Sequence, residues 1–193
     1  MTDALWYLGR GFGVSALVLL TMTVVLGICT RSGLALPGLS RFAVTTVHRT
    51  TSLSAVLFLA LHVVTLLFDP YAQLRLVDLA VPFAASYRPF WQGLGTVAAE
   101  LVVILIVSSL LRHRLGLRTW RVVHWAAYAC WPVAVAHALG TGTDGHAAWL
   151  LIVVGLCVTL VVGSVTWRAI GAPFARPADP LRVAPPRDLA GLQ

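Results

Sequence analysis

The sequence predicts an all-α integral membrane protein, a bundle of five transmembrane helices with one short helix at the membrane interface. Three observations predict this class: 59% of the 193 residues are hydrophobic, only 11% are charged, and the mean hydropathy is +0.86. Soluble domains are about a quarter charged, so this chain lacks the polar residues that would cover a surface facing water.

Five apolar runs are long enough to cross a bilayer, which takes about 20 helical residues. They span residues 5–29, 42–68, 89–111, 120–139 and 147–168. The first run has no basic segment before it and carries Arg10 within its first turns. We therefore expect it to stay in the mature chain rather than act as a signal peptide.

The segments outside these runs are short. Residues 74–85 are apolar but too short to cross, and Pro82 interrupts them, so we expect a short interfacial helix there. Residues 171–193 are rich in proline, which predicts a disordered cytoplasmic tail after a transmembrane domain of residues 1–170. This length leaves no room for a built-in nucleotide-binding or flavin-binding module.

The arginines predict the orientation of the bundle. Alternating the five spans places Arg10, Arg75 and Arg88 on one side and the other eleven of the 14 basic side chains on the opposite side. Cytoplasmic loops carry the excess of positive charge, so we expect the N-terminus outside and the C-terminus inside a bacterial plasma membrane. The net charge of +7 then reports topology and not binding to nucleic acid.

Cysteine and glycine positions suggest structural roles. The three cysteines lie in or beside apolar runs without paired spacing, so we expect buried thiols and no disulfide framework. Gly9, Gly11 and Gly13 lie inside the first span and do not follow a strand, so the glycine-rich nucleotide-binding fingerprint does not apply. We expect these glycines to let another helix approach closely.

Four of the six histidines lie within predicted spans, where ionisable side chains are costly and indicate function. His48 and His62 on the second span are separated by 14 residues, which leaves them about 40° apart in azimuth and about 21 Å apart in height. His124 and His137 on the fourth span are separated by 13, a rise of about 19.5 Å but about 140° short of four full turns. We expect a distorted fourth span, with Pro132 as the cause.

The four histidines form two pairs at matched heights. Because the second and fourth spans run in the same direction, His48 lies level with His124 near the cytoplasmic side, and His62 lies level with His137 near the outer side. Two stacked bis-histidine haems require such pairs, since each iron takes one axial imidazole from each helix. A zinc or copper site is disfavoured, because the pairs lie too far apart to share one ion. The sequence thus predicts two haems with these histidines as iron ligands.

The segments around these histidines resemble a known family. His48-Arg49 followed by His62, and residues 120–128 (WRVVHWAAY) followed by His137, look like the ferric reductase-like transmembrane domain. That family includes the membrane parts of ferric reductases and NADPH oxidases, and the haem subunit of the periplasmic methionine sulfoxide reductase system. The resemblance covers about residues 5–167 and implies two b-type haems held by the same two spacings. This chain stops before the FAD and NADPH domains, so catalysis on a nicotinamide cofactor is not implied.

Arginines near the histidines are candidates to neutralise haem propionates. Arg49 and Arg121, together with Arg118, are placed for the inner haem, and Arg10 and Arg88 for the outer haem. As an alternative, each of them serves as a topology determinant or contacts lipid phosphate.

Three further polar side chains stand out. Glu100 is the only acid inside a span and suits either proton or quinol chemistry or a hydrogen bond between helices. His113, in a basic loop, and His146, beyond the fourth span, are expected to be solvated.

These observations predict one-electron transfer across the bilayer. Electrons would come from a separate cytoplasmic flavoprotein or from quinol and pass to an extracytoplasmic acceptor such as Fe(III), oxygen or a redox partner. Two alternatives stay open. The chain serves as the haem subunit of a separate oxidoreductase without a substrate of its own, which leaves open whether it is itself an enzyme. Otherwise it is a haem-free transporter or membrane assembly factor, although we see no inverted repeat.

Overall fold

The computed structural model describes residues 2–32, 40–142 and 145–171, which form helices joined by short connections, with no strand among them. The helices are α1 (Thr2–Ser32), α2 (Arg41–Leu67), a 3₁₀ turn (Leu76–Leu79), α3 (Pro89–Leu110), α4 (Arg112–His124), α5 (Ala126–Thr141) and α6 (Ala148–Gly171). The predicted all-α membrane fold is confirmed. The predicted disordered tail lies outside the described residues from residue 172 onward.

Four helices are individually long and apolar enough to cross a membrane. Their apolar stretches are Ala4–Thr30, Phe42–Leu67, Pro89–Leu110 and Ala148–Ile170. The pair α4 and α5 provides a fifth crossing when it is taken as one broken span. Large apolar side chains remain exposed on these helices, as at Leu57, which is 57% exposed. Such surfaces suit hydrocarbon as the solvent, because each helix satisfies its own backbone hydrogen bonds.

The fourth crossing is broken, but not where we expected. The axes of α4 and α5 differ by 40°, and the junction between them is Trp125. Gly116 within α4 has φ 75° and ψ 159°, which is not helical. Pro132, the expected cause of a distortion, lies inside α5, and the junction recorded between the two histidines is at Trp125. Because of the break, His124 and His137 lie on different helices, and an azimuth computed for one straight helix does not apply.

Antiparallel helix pairs form the body of the bundle. Helix α1 packs along α2, α3 packs along α5, and α1 also contacts α5 and α6. The α1–α6 interface is apolar, with Leu17 against Leu150 and Val154. None of the three cysteines, all within the described residues, forms a disulfide, and Cys130 and Cys157 are buried as predicted.

The connection between α2 and α3 is held by one ion pair. The predicted short helix at residues 74–85 is a single 3₁₀ turn, Leu76–Leu79. Within it, Asp78 is 2% exposed and accepts from Arg75 Nη2 at 2.8 Å and from the Arg75 backbone N–H at 2.9 Å. The hydroxyl of Thr96 on α3 donates to the Asp78 carbonyl at 2.7 Å. These bonds fasten the connection to the end of α3.

Candidate functional site

A long cavity of about 2330 Å³ runs through the bundle and is lined by side chains from all of its helices. The cavity wall includes all four predicted histidines: His48, His62, His124 and His137. Sites for one drug-sized ligand measure about 300–1,000 Å³. This cavity is therefore large enough for more than one such group.

The structure brings the outer pair of histidines together. The ring centroids of His62 on α2 and His137 on α5 are 6.5 Å apart, with the ring planes at 78°. These helices are separated in sequence by α3 and α4, so the pairing follows from the way the bundle folds.

Three of the four histidines are oriented by backbone carbonyl groups. The Nδ1 atoms of His48, His62 and His137 lie 3.0, 2.6 and 2.9 Å from the carbonyl oxygens of Thr23, Gly9 and Trp91. A carbonyl only accepts, so each Nδ1 carries the proton and donates. Nε2 is then the unprotonated nitrogen of each ring, the form in which imidazole ligates a metal.

His124 is held differently from the other three. Its ring stacks on Trp120 of the same helix, with centroids 4.9 Å apart and planes at 26°. The guanidinium carbon of Arg112 lies 4.8 Å from the Trp120 ring centroid on that helix. His48 and His124 line the same cavity, but the ring contact that the structure records for His124 is with Trp120.

Small residues make room for the imidazole rings, and the sequence analysis missed this role. A Cβ added at Gly13 would lie 2.8 Å from His62 Nδ1, and one at Gly95 would lie 2.6 Å from His137 Nδ1. The expectation of close helix approach therefore holds at Gly13, and also at Gly9, which faces Leu66. It was wrong for Gly11, where an added Cβ would meet nothing within 4 Å.

Several arginines line the cavity. Arg49 and Arg121, the two predicted contacts for the inner group, are both on its wall, as are Arg10 and Arg112. Trp120 presents there a buried indole N–H that has no hydrogen-bond partner within the described residues. Buried donors are nearly always satisfied, so this N–H is suited to a bound acceptor group.

Two predicted arginines lie elsewhere. Arg88 donates from Nη1 to the carbonyl oxygen of Gly140 at 2.6 Å and is not on the cavity wall. Arg118 lines a separate shallow hollow formed with Arg121, Val122 and Trp125. Their assignment as propionate partners is not supported by these positions.

The remaining polar candidates from the sequence analysis are Glu100, His113 and His146. Glu100 on α3 lines the cavity. His113 and His146 are exposed, and His113 lies at the cavity wall within α4, which includes the basic segment that we expected to be a loop.

No group of three or more His, Cys, Asp or Glu side chains is arranged to hold a metal ion in residues 2–32, 40–142 and 145–171. His62 and His137 form a pair of rings without a third ligand beside them among the described residues, so a metal held between them would need further ligands of its own, as a porphyrin provides. The residues present fit such a group: two facing imidazoles with their tautomer fixed, glycines beside the rings, and cations on the wall.

The fold and the site define a multi-pass helical membrane protein in which four histidines line one cavity and two of them, His62 and His137, pair across helices. The chain belongs to the ferric reductase-like transmembrane family, because the family model described as "Ferric reductase like transmembrane component" matches residues 12–135. This match includes His48, His62 and His124 and ends just before His137. Members of this family generally bind haem. Searches of curated proteins and of solved structures found no significant match.

Proposed function

We propose that this chain transfers electrons one at a time across the membrane, with two b-type haems held between α2 and the α4–α5 pair. His62 and His137 would ligate the outer iron, and His48 and His124 the inner iron. The observation that carries the proposal is the outer pair: two imidazoles on separate helices, with centroids 6.5 Å apart. Their Nδ1 protons are bonded to carbonyl oxygens.

The spacing of the outer pair suits a metal between the rings. A metal ion bound to one nitrogen of each ring at about 2 Å would place the two ring centroids about 6 Å apart, with about 1 Å from each nitrogen to its ring centre. The distance of 6.5 Å is close to this value. The cavity volume of about 2330 Å³ supports two groups, since it exceeds the usual range for a single ligand site.

The chain supplies ligation, orientation and charge balance. When bound, haem iron supplies one-electron redox chemistry. The carbonyl oxygens of Thr23, Gly9 and Trp91 would hold three imidazoles in the ligating tautomer and raise their basicity. Arg49 and Arg121 would neutralise the propionates of the inner group, with the Trp120 indole N–H as a further donor. The apolar helices would keep water away from the irons.

We propose outward transfer, with the predicted topology assigning each pair of histidines to one side of the membrane. With the N-terminus outside and the C-terminus in the cytoplasm, His48 and His124 lie on the donor side. A reduced cytoplasmic flavoprotein or a quinol would give up its electrons singly. An extracytoplasmic acceptor such as Fe(III) would take them, one electron for each ion reduced. The excess of arginine on one side supports this orientation in a bacterial plasma membrane.

A dithionite-reduced minus oxidised absorption spectrum of the purified protein, combined with haem quantitation, tests this proposal. We expect a b-type spectrum and two haems per chain. A protein purified from haem-supplemented cells that binds no haem would overturn the proposal, and one haem per chain would overturn the two-site version.

A further inference from the structure

The three carbonyl-bonded histidines share one arrangement. Each ring donates to the carbonyl of a residue i on a neighbouring helix, and a glycine occupies position i+4 of that helix. The pairs are Gly9 and Gly13 for His62, Thr23 and Gly27 for His48, and Trp91 and Gly95 for His137.

We propose that Gly13 and Gly95 are positioning residues that set the orientation of the outer pair of imidazoles, with a weaker equivalent at Gly27. The inference rests on the proposed haem-binding function. It goes further by assigning the control of each axial ligand to a glycine on another helix.

Helix geometry explains why a glycine is needed. A helical side chain leans towards the N-terminus and covers the preceding turn, so the residue at i+4 lies over the carbonyl of residue i. A ring that reaches this carbonyl from the side therefore meets the Cβ of residue i+4. Glycine leaves this approach open.

The distance between an added Cβ and the histidine ring differs among the three glycines, so the inference predicts a different effect at each. A Cβ at Gly13 would lie 2.8 Å from both Cε1 and Nδ1 of His62. One at Gly95 would lie 2.5 Å from His137 Cε1 and 2.6 Å from its Nδ1. At Gly27 the nearest atom, His48 Cε1, would be 3.4 Å away, which is an ordinary van der Waals contact. A methyl group therefore displaces the outer rings but leaves room for His48.

The inner site is less dependent on glycine. On α3, the carbonyl and glycine positions that serve His137 are Trp91 and Gly95. The equivalent positions at the inner level, 14 residues further along, are Leu105 and Ser109, so no glycine occupies the second of them. The Leu105 carbonyl accepts from the Ser108 hydroxyl at 3.1 Å, and His124 stacks on Trp120. Both ligands of the outer haem thus have a glycine beside the ring, whereas among the described glycines Gly27, beside His48, is the only one next to a ligand of the inner haem.

Displacing a ring weakens its bond to the carbonyl and lowers the basicity of the ligating nitrogen. A less basic ligand stabilises the oxidised iron less, so the midpoint potential of the outer haem rises. If the ring moves too far, the outer haem is lost.

The test compares Gly13→Ala and Gly95→Ala with Gly11→Ala, a matched control on α1 where an added Cβ meets nothing within 4 Å. Redox titration followed by absorbance gives the potential of each haem, and electron paramagnetic resonance of the oxidised protein reports the orientation of the axial rings. A His62→Ala variant identifies which signals belong to the outer haem.

We expect Gly13→Ala and Gly95→Ala to shift the potential and the resonance of the outer haem, or to remove that haem, while the inner haem is unchanged. Gly11→Ala should match the wild type, and Gly27→Ala should change the inner signals only slightly. If either outer variant fails to fold, the larger Gly27→Val should shift the inner haem alone and provides the same test.

The inference is overturned if Gly13→Ala and Gly95→Ala behave like Gly11→Ala, or if they disturb both haems equally, as general loss of packing would. These results leave haem binding by the wild type intact. A wild-type protein without haem would instead remove the proposed function, and this inference with it.

Discussion

The indole Nε1 of Trp131 on α5 donates a hydrogen bond to the hydroxyl oxygen of Thr21 on α1, at 2.9 Å. Thr21 is 1% exposed, and its own hydroxyl proton is donated to the Leu17 carbonyl at 2.8 Å. The bond therefore joins two membrane-crossing segments in the interior, where water cannot replace either partner.

Thr21→Val should destabilise the protein by about 1–3 kcal/mol, because it leaves the buried indole N–H without an acceptor. Thermal or denaturant unfolding in detergent measures the effect. Thr159→Val is the matched control, since that exposed hydroxyl donates only to the Gly155 carbonyl of its own helix. In the background of Trp131→Phe, the additional effect of Thr21→Val should nearly vanish. An equal effect in both backgrounds would mean that the bond contributes nothing.

Substitution of single histidines should remove one haem at a time. We expect His62→Ala and His137→Ala to lose the same haem, and His48→Ala and His124→Ala to lose the other, because each iron would lose one of its two axial ligands. Haem quantitation and the reduced-minus-oxidised spectrum measure this result. His146→Ala, at an exposed position, should keep both haems. Unchanged stoichiometry after one substitution from each pair would refute the pairing.

The connection between α2 and α3 should loosen in acid. The hydrogen bonds and charge of Arg75 lower the pKa of the Asp78 carboxyl. A carboxyl with a lower pKa in the folded state stabilises the fold fully above its unfolded value, about 3.9, and loses this contribution as the pH falls through its folded pKa. The hydrogen-exchange protection of residues 75–80, taken relative to the intrinsic exchange rate at each pH, should therefore fall below about pH 4. Asp78→Asn should exchange faster already at neutral pH and lose this acid dependence, and an unaltered dependence in the variant would point to another group.

Gly116→Ala should destabilise α4 through its backbone alone. Gly116 has φ 75° and ψ 159°, a region that is almost restricted to glycine and costs other residues about 1–3 kcal/mol. No atom lies within 4 Å of an added Cβ, so crowding does not contribute. Gly155→Ala, equally uncrowded but helical, should instead be neutral or stabilise by up to about 1 kcal/mol. Equal unfolding free energies for the two variants would contradict the assigned conformation of Gly116.

Pro132→Ala should leave the haem content unchanged. The break that separates His124 from His137 lies at Trp125, so the proline is not needed to bring these histidines into position. Haem quantitation of the purified variant provides the measurement. Loss of one haem would show that Pro132 has a role in ligand placement after all.

The sequence was sufficient to predict the crossings and the membrane class, because apolar runs of the required length are local properties of the chain. It was not sufficient to locate the break in the fourth crossing. Pro132 carries the usual signal for a kink, yet the non-helical backbone of this crossing lies at Gly116 and the junction of α4 and α5 lies at Trp125. Packing of α5 along α3 is a tertiary effect that sequence pattern does not contain.

The partners of the histidines were harder to predict than the histidines themselves. Every residue has a backbone carbonyl, so the residue types at Thr23 and Trp91 do not indicate that these carbonyls accept hydrogen bonds from histidines. The glycines did leave one trace: Gly13 and Gly27 are separated by 14 residues, as are His48 and His62. Because α1 and α2 are antiparallel, equal separations place Gly13 level with His62 when Gly27 is level with His48. The match could therefore have indicated which glycine faces which ring.

Main-chain anchoring has an implication for mutational scans of this protein. Every amino acid supplies the same carbonyl oxygen, so exchanging Trp91 for another helix-forming residue retains the acceptor for His137. Sensitivity would instead appear four residues later, at a position with no bond to any ring. A scan would thus report the anchor itself as silent and the open space beside it as essential.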